Sequence, residues 1–140
     1  MKILRLKGND KELYELVAPL VMNASILKLN NNYPFKTAPD YIWHVLIDNK
    51  NVAGFIPLKP ISNGYNIDNY YFRLDNKDVI KALLQDIIDS KDYPELVAIV
   101  HKRNTEAFIE MGFARIIEWK KYDKMIYQNP KSNDQTTECL

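Results

Sequence analysis

The strongest constraint in this chain is a helix leading into a buried strand. From about Asn76 to Ser90, the apolar residues Val79, Ile80, Leu83, Leu84, Ile87 and Ile88 recur at helical spacing on one face. Leu96 to Val100 then runs apolar without a break, the pattern of a strand buried on both faces, and Pro94 closes the loop between them. A helix that crosses over between two strands of one sheet makes those strands parallel. The segments before it read differently. Tyr41 to Asp48 and Val52 to Leu58 are separated by the turn Asp48-Asn49-Lys50-Asn51, and Asn63-Gly64 leads into a third strand, Tyr65 to Leu74. Turns that short join antiparallel neighbours. Pro57, late in the second of these strands, predicts a bulge or an edge position.

The flanks complete the pattern. Lys2 to Leu6 alternates as a first strand. Asn9 or Asp10 caps a helix carrying Leu13, Leu16, Val17 and Leu20, which Pro19 must kink or end. A short helix around Ser25 to Leu29 precedes the breakers Asn30-Asn31-Asn32, Pro34 and Pro39. After the buried strand, Asn104 caps a helix through Met111, Gly112 suits the left-handed position that ends it, and Ala114–Trp119 with Lys124–Gln128 forms a hairpin. The predicted fold class is α/β (α+β): a mixed, mostly antiparallel central sheet flanked by helices, in the order β-α-(α)-β-β-β-α-β-α-β-β. Residues 1–128 read as one domain and the polar, non-periodic stretch 129–140 as a tail.

Several function classes fall away on composition. Nineteen Lys and Arg against eighteen Asp and Glu leave a net charge of +1, without the basic excess of a nucleic-acid binder. The pairs Lys102-Arg103 and Lys120-Lys121 read as solvated faces. One cysteine, Cys139, and two histidines, His44 and His101, supply no expected metal site and no internal disulfide. Met1 to Lys7 interleaves charge with apolar residues, and no apolar run approaches a membrane span. The expectation is a soluble, reduced, cytoplasmic protein.

Chemistry then rests on a few side chains. Asp68 is the only acid on the third strand, placed to serve as a base. His101 ends the buried strand, where clefts in such sheets open, and its proton chemistry suits neutral pH. Tyr65, Tyr70 and Tyr71 either pack or line a pocket and donate a proton. Arg73 and Lys77 flank a helix start, which favours anions. His44, beside Trp43, reads as a packed residue.

The stretch Asn104-Thr-Glu-Ala107-Phe108-Ile-Glu-Met-Gly112-Phe113, following a buried strand, resembles the GNAT acyltransferase superfamily. Short phage-encoded GNAT-like proteins are similar in size and terminal hairpin. The resemblance implies an acyl-CoA-dependent N-acyltransferase, with acetyl-CoA as co-substrate and an amine of a small molecule or protein as acceptor. It implies a cleft between two splayed strands, in which the pantetheine follows Phe72, Arg73 and Leu74. The pyrophosphate would meet Arg73, Asn76, Lys77 and Asp78 at the next helix, with Asn104 and Phe108 alongside. The family's loop reads [Gln/Arg]-x-x-Gly-x-[Gly/Ala]; here Arg73 matches, while Asn76 and Asp78 replace the glycines. Asn76 is the replacement best able to take a left-handed conformation. Phe108 stands where many members carry a tyrosine that protonates the leaving thiolate, and a phenylalanine has no proton to give. His101, Asp68 and Tyr70 are then the candidate catalytic groups. The alternative is a GNAT-like module without turnover, docking a protein partner through its tail.

Overall fold

The computed structural model describes residues 1–90 and 95–128. The loop at Pro94 and the tail from Asn129 to Leu140, Cys139 included, lie outside the described residues. The elements are β1 (Lys2–Lys7), α1 (Lys11–Val21), α2 (Ala24–Leu29), β2 (Ile42–Asp48), β3 (Asn51–Ile61), β4 (Gly64–Ile67), β5 (Tyr71–Phe72), α3 (Lys77–Ser90), β6 (Glu95–His101), α4 (Thr105–Glu110), β7 (Ala114–Glu118) and β8 (Tyr122–Gln128). They build one sheet in the order β1-β2-β3-β4-β6-β8-β7, with β5 also paired to β3. Every neighbouring pair is antiparallel except β4 and β6, which run parallel from Gly64 opposite Glu95 to Ile67 opposite Ala98. This is the mixed, mostly antiparallel sheet expected, with α3 as its crossover.

Helices cover both faces. On one, Val79, Ile80, Leu83, Leu84 and Ile87 of α3 pack on Leu46, Ile56, Leu58, Leu96, Ala98 and Val100, with Phe108 and Phe113 extending the cluster. On the other, Leu13 and Val17 of α1 meet Trp43, Val45 and Phe55. Each fully buried Leu, Ile or Phe contributes about 1.5–3 kcal/mol as an upper estimate, so the sheet is held from both sides. Gly64 allows the parallel pair to form: a Cβ there would lie 1.8 Å from the Glu95 carbonyl oxygen.

Local expectations changed where tertiary contacts decided. The third strand is not continuous. Pairing stops after Ile67, Asn69 takes a left-handed φ of 52°, and β5 resumes for two residues. Arg73–Asp75 then forms a single 3-10 turn in which Leu74 and Asp75 have φ of 56° and 47°. Pro57 is neither on an edge strand nor at a bulge: it is buried in β3, opposite Trp43. Along the other side of β3, β5 takes Gly54 and Phe55 and β4 takes Leu58 to Ile61, so Pro57 falls in the interval between them. The register irregularity lies instead beside Ala53, which is skipped between Val52 and Gly54. Pro19 sits inside α1, which ends two residues later at Val21. Asp10 heads that helix, but its carboxylate accepts from the Lys7 amide and caps no helical N–H. Within the apolar run of β6, Leu96, Ala98 and Val100 are fully buried, while Val97 and Ile99 are half-buried. The final hairpin turns at Trp119–Lys121, so β8 begins at Tyr122, two residues before its predicted start.

Candidate functional site

The break in the third strand creates the site. Beyond Ile67 and Ala98, β5 stays with β3 while β6 follows β8, and the two directions diverge. Side chains alternate along β6, so Ile99 and His101 face away from α3 while Ala98 and Val100 face it. The opening therefore has two sides.

On the side away from α3 lies a cavity of about 300 Å³, lined by Asn30, Tyr33, Asp68, Asn69, Ile99, His101 and Tyr122. His101 Nε2 lies 3.3 Å from Asn30 Oδ1. The Asn30 amide donates to the Tyr33 carbonyl and to Asn69 Oδ1, each at 3.0 Å, so its oxygen faces the imidazole and Nε2 carries the proton. The ring stands 4.8 Å from that of Tyr122, whose hydroxyl accepts from the Asn31 amide. Burial pushes His101 down to about 4, with repulsion from Arg103 adding to it and Asp75 opposing, so the imidazole is neutral at physiological pH. Across the cavity, Asp68 accepts from Asn66 at 3.1 Å and from Asn69 at 3.3 Å. Burial raises its carboxyl above the usual range, against the pull of Lys59, the Asn66 bond and Lys36.

On the α3 side the chain's own side chains meet. The Tyr70 hydroxyl accepts from the His101 backbone N–H at 2.9 Å and donates to Asn104 Oδ1 at 2.8 Å. Its ring stacks on Phe72 at 4.6 Å and lies 5.8 Å from Phe108. Asp75, on the left-handed turn, accepts from Asn104 Nδ2 at 3.0 Å and from Arg103 Nε at 3.0 Å. Asn76 has an extended backbone, not the left-handed one expected of it. Its side-chain Oδ1 caps α3, accepting from the amides of Asp78 at 2.9 Å and Val79 at 3.2 Å.

The candidate residues thus separate. His101 and Asp68 come together at the cavity. Tyr70 does not line the cavity; its ring meets the His101 imidazole edge to face at 5.5 Å, and burial pushes its phenol above the ordinary range. Phe72 pairs with Gly54 in the core, and Leu74 points into solvent. Arg73 turns away to Asp48 at 3.4 Å, and Lys77 pairs with Glu106 at 3.4 Å. Asp78 is exposed, its amide held by Asn76. Asn104 gives α4 no side-chain cap, because both ends of its amide are engaged by Tyr70 and Asp75. Phe108 packs in the core against Phe113 at 5.3 Å. His44 is buried with its Nδ1 2.6 Å from Asp86, which also holds Arg5. Burial lowers the His44 pKa, and its Nε2 has no partner.

An acyl-CoA laid in this opening needs free amides at the head of α3 and a free edge between β5 and β6. The α3 amides of Asp78 and Val79 are capped, and the His101 amide is taken by Tyr70. Exchanging the exposed Asn76 cap for another acceptor costs about 1 kcal/mol. Moving Tyr70 leaves two buried groups unpaired at about 1–3 kcal/mol each, besides its ring contacts. The residues present do not fit the co-substrate.

Sequence reasoning missed Asn30, Asn69, Tyr122 and Asp75. A weak signal existed in Asn30-Asn31-Asn32: Asn31 and Asn32 both adopt left-handed φ, of 54° and 62°, a geometry that asparagine tolerates. Among the described residues no cluster of His, Cys, Asp and Glu could hold a metal ion, and no helix is long and apolar enough to cross a membrane.

By sequence the chain matches no family model and no curated protein. By structure it is similar to Escherichia coli ElaA, with a TM-score of 0.73 at 10% identity, over 91% of this chain and 100% of that one. An acyl-CoA N-acyltransferase from Pseudomonas aeruginosa gives 0.70 at 11%, over 91% and 99%. The aminoglycoside 6'-N-acetyltransferase from Enterococcus faecium gives 0.68 at 12%, over 92% and 97%. The architecture of this chain is therefore the GNAT fold, over 97–100% of the length of these three structures.

Proposed function

We propose that this chain binds an amine, on a small molecule or a protein, in the cavity between Asp68 and His101. One observation carries the reading: Asp68 is the only carboxylate among the lining residues, and it is desolvated. A carboxylate that has lost water gains most from a cation placed against it. The neutral imidazole of His101 opposite adds no repulsion to an ammonium, and the phenols of Tyr33 and Tyr122 supply hydroxyls at the rim. Residues 1–128 are taken as one domain carrying the site, in a cytoplasmic protein.

The test is calorimetric titration with spermidine, lysine amide and phenethylamine, each beside its hydroxyl analogue. Saturable binding of at least one amine is expected, with no binding of its hydroxyl counterpart. Asp68→Asn should weaken it tenfold or more, because the variant keeps the size and loses the charge. If no amine saturates, or if Asp68→Asn binds as the parent does, the reading fails.

A second reading is N-acyl transfer to that same amine from acyl-CoA, with acetyl as the expected group. The names of the structural neighbours favour it. In it Asp68 accepts the ammonium proton and His101 hydrogen-bonds the acceptor. It requires a donor groove that takes a thioester, and product formation from radiolabelled acetyl-CoA separates it from amine binding alone.

A further inference from the structure

We infer that the chain supplies its own occupant of the donor groove: Tyr70, Asp75 and Asn76 hold the positions at which an acyl-CoA would bind, and the folded protein does not take one up. The inference stands on the α3 side of the opening and does not depend on which ligand enters the cavity.

Three contacts act at three heights of the groove. At the head of α3, the side-chain Oδ1 of Asn76 accepts from two consecutive amides, of Asp78 and Val79, in the place of a phosphate oxygen. In the middle, the Asp75 carboxylate is itself an anion, bonded to Arg103 Nε and Asn104 Nδ2. Arg103 also donates to the Leu29 carbonyl, and Lys77 and Arg73 are paired with Glu106 and Asp48. The cations around this helix start are thus matched within the chain. At the deep end, the Tyr70 hydroxyl takes the His101 amide and closes the gap between β5 and β6 from the α3 side. Leu74 adopts a left-handed backbone that bulky residues rarely occupy, Asp75 follows in one that aspartate tolerates, and the pair carries the Asp75 carboxylate to Arg103. That strain is offset by the two bonds it allows.

A groove with glycines at its mouth keeps its amides for a ligand. Here side chains satisfy those amides, and the groove becomes a brace joining β5, β6, α3 and α4 behind the open cavity.

The test uses the whole chain and a double variant, Asp75→Ser at a half-buried position with Asn76→Gly at an exposed one. Glycine is a tolerated helix cap, so the variant folds, as its thermal transition will report. Each is titrated with acetyl-CoA and with coenzyme A to millimolar concentration, by calorimetry and by shift of the thermal midpoint. The parent is expected to give neither heat nor shift, and the double variant to gain a midpoint shift with coenzyme A and at least tenfold in affinity. Saturable binding of acetyl-CoA by the parent would overturn the inference. So would a variant that folds and binds no better than the parent, since Asp75 and Asn76 would then not be what closes the mouth of the groove. The amine titration is read separately, so failure here leaves the cavity's ligand standing.

Discussion

The neutral imidazole at His101 makes the protein sensitive to mild acid, and the effect can be sized. In the folded chain this group titrates at about 4, against an ordinary value of 6.5. Between those limits the unfolded chain binds a proton that the folded one refuses, so stability falls as the pH falls. The contribution is complete above 6.5 and is lost on going down through 4. The difference corresponds to about 3 kcal/mol, on the order of one third of a small domain's stability. His44, whose pKa is also lowered by burial, acts in the same direction. Asp86 and Asp123 are held below the usual carboxylate range, so their losses begin only at lower pH. Asp68 is raised and works the other way, since its folded form favours the proton. From 6.5 down to 4 the histidines lower the stability and Asp68 opposes them, so a variant of His101 alone is needed to isolate its share. His101→Gln keeps an N–H for Asn30 and cannot titrate. Urea denaturation of the parent and of H101Q should give stabilities whose difference shifts by about 3 kcal/mol between pH 7 and pH 4. Parallel curves, or an imidazole resonance of His101 that titrates near 6.5, would refute the reasoning.

Two further perturbations test the architecture around the opening. Gly64→Ala places a methyl group 1.8 Å from the Glu95 carbonyl oxygen, so the parallel pair must part. A loss of about 2 kcal/mol or more in urea denaturation is expected, and a neutral result would refute the close approach. Tyr70→Phe keeps the ring stack and removes the hydroxyl that joins His101 to Asn104. With both partners buried, the expected cost is about 2–4 kcal/mol with an unchanged denaturant slope, and a cost under 1 kcal/mol would show that water fills the gap.

The fold was legible because its main elements announce themselves locally. The α3 face from Val79 to Ile88 and the apolar run from Leu96 to Val100 each allow one reading, and together they require a parallel pair inside an antiparallel sheet. The break in the third strand was hidden. Tyr65 to Leu74 alternates well enough for a strand, and nothing in Leu74 forecasts a left-handed backbone, which an isolated leucine avoids. Pro57 misled for a related reason. Proline excludes a central position only where a neighbour needs its N–H, and β3 has an interval between β4 and β5 that no pattern along the chain reveals.

The site divided along the same line. His101 was found because it ends a strand that local pattern defines, and Asp68 because it is the only acid in the predicted third strand; both line the cavity. Asn30, Asn69 and Tyr122 reach it from distant segments, and short polar side chains look alike in sequence whether they turn a loop or hold an imidazole. Asn104 shows most clearly what a motif can carry. As a helix-starting asparagine it helped suggest a family with a known chemistry, yet its amide is spent on Tyr70 and Asp75. Gly112 closes α4 with a left-handed φ of 101°, and Phe113 packs between Phe108 and Tyr127. All three residues of the motif are accounted for by the joining of β6, α4 and the hairpin. A motif so explained is evidence for the architecture, and the chemistry must be argued from what the opening between β5 and β6 leaves unpaired.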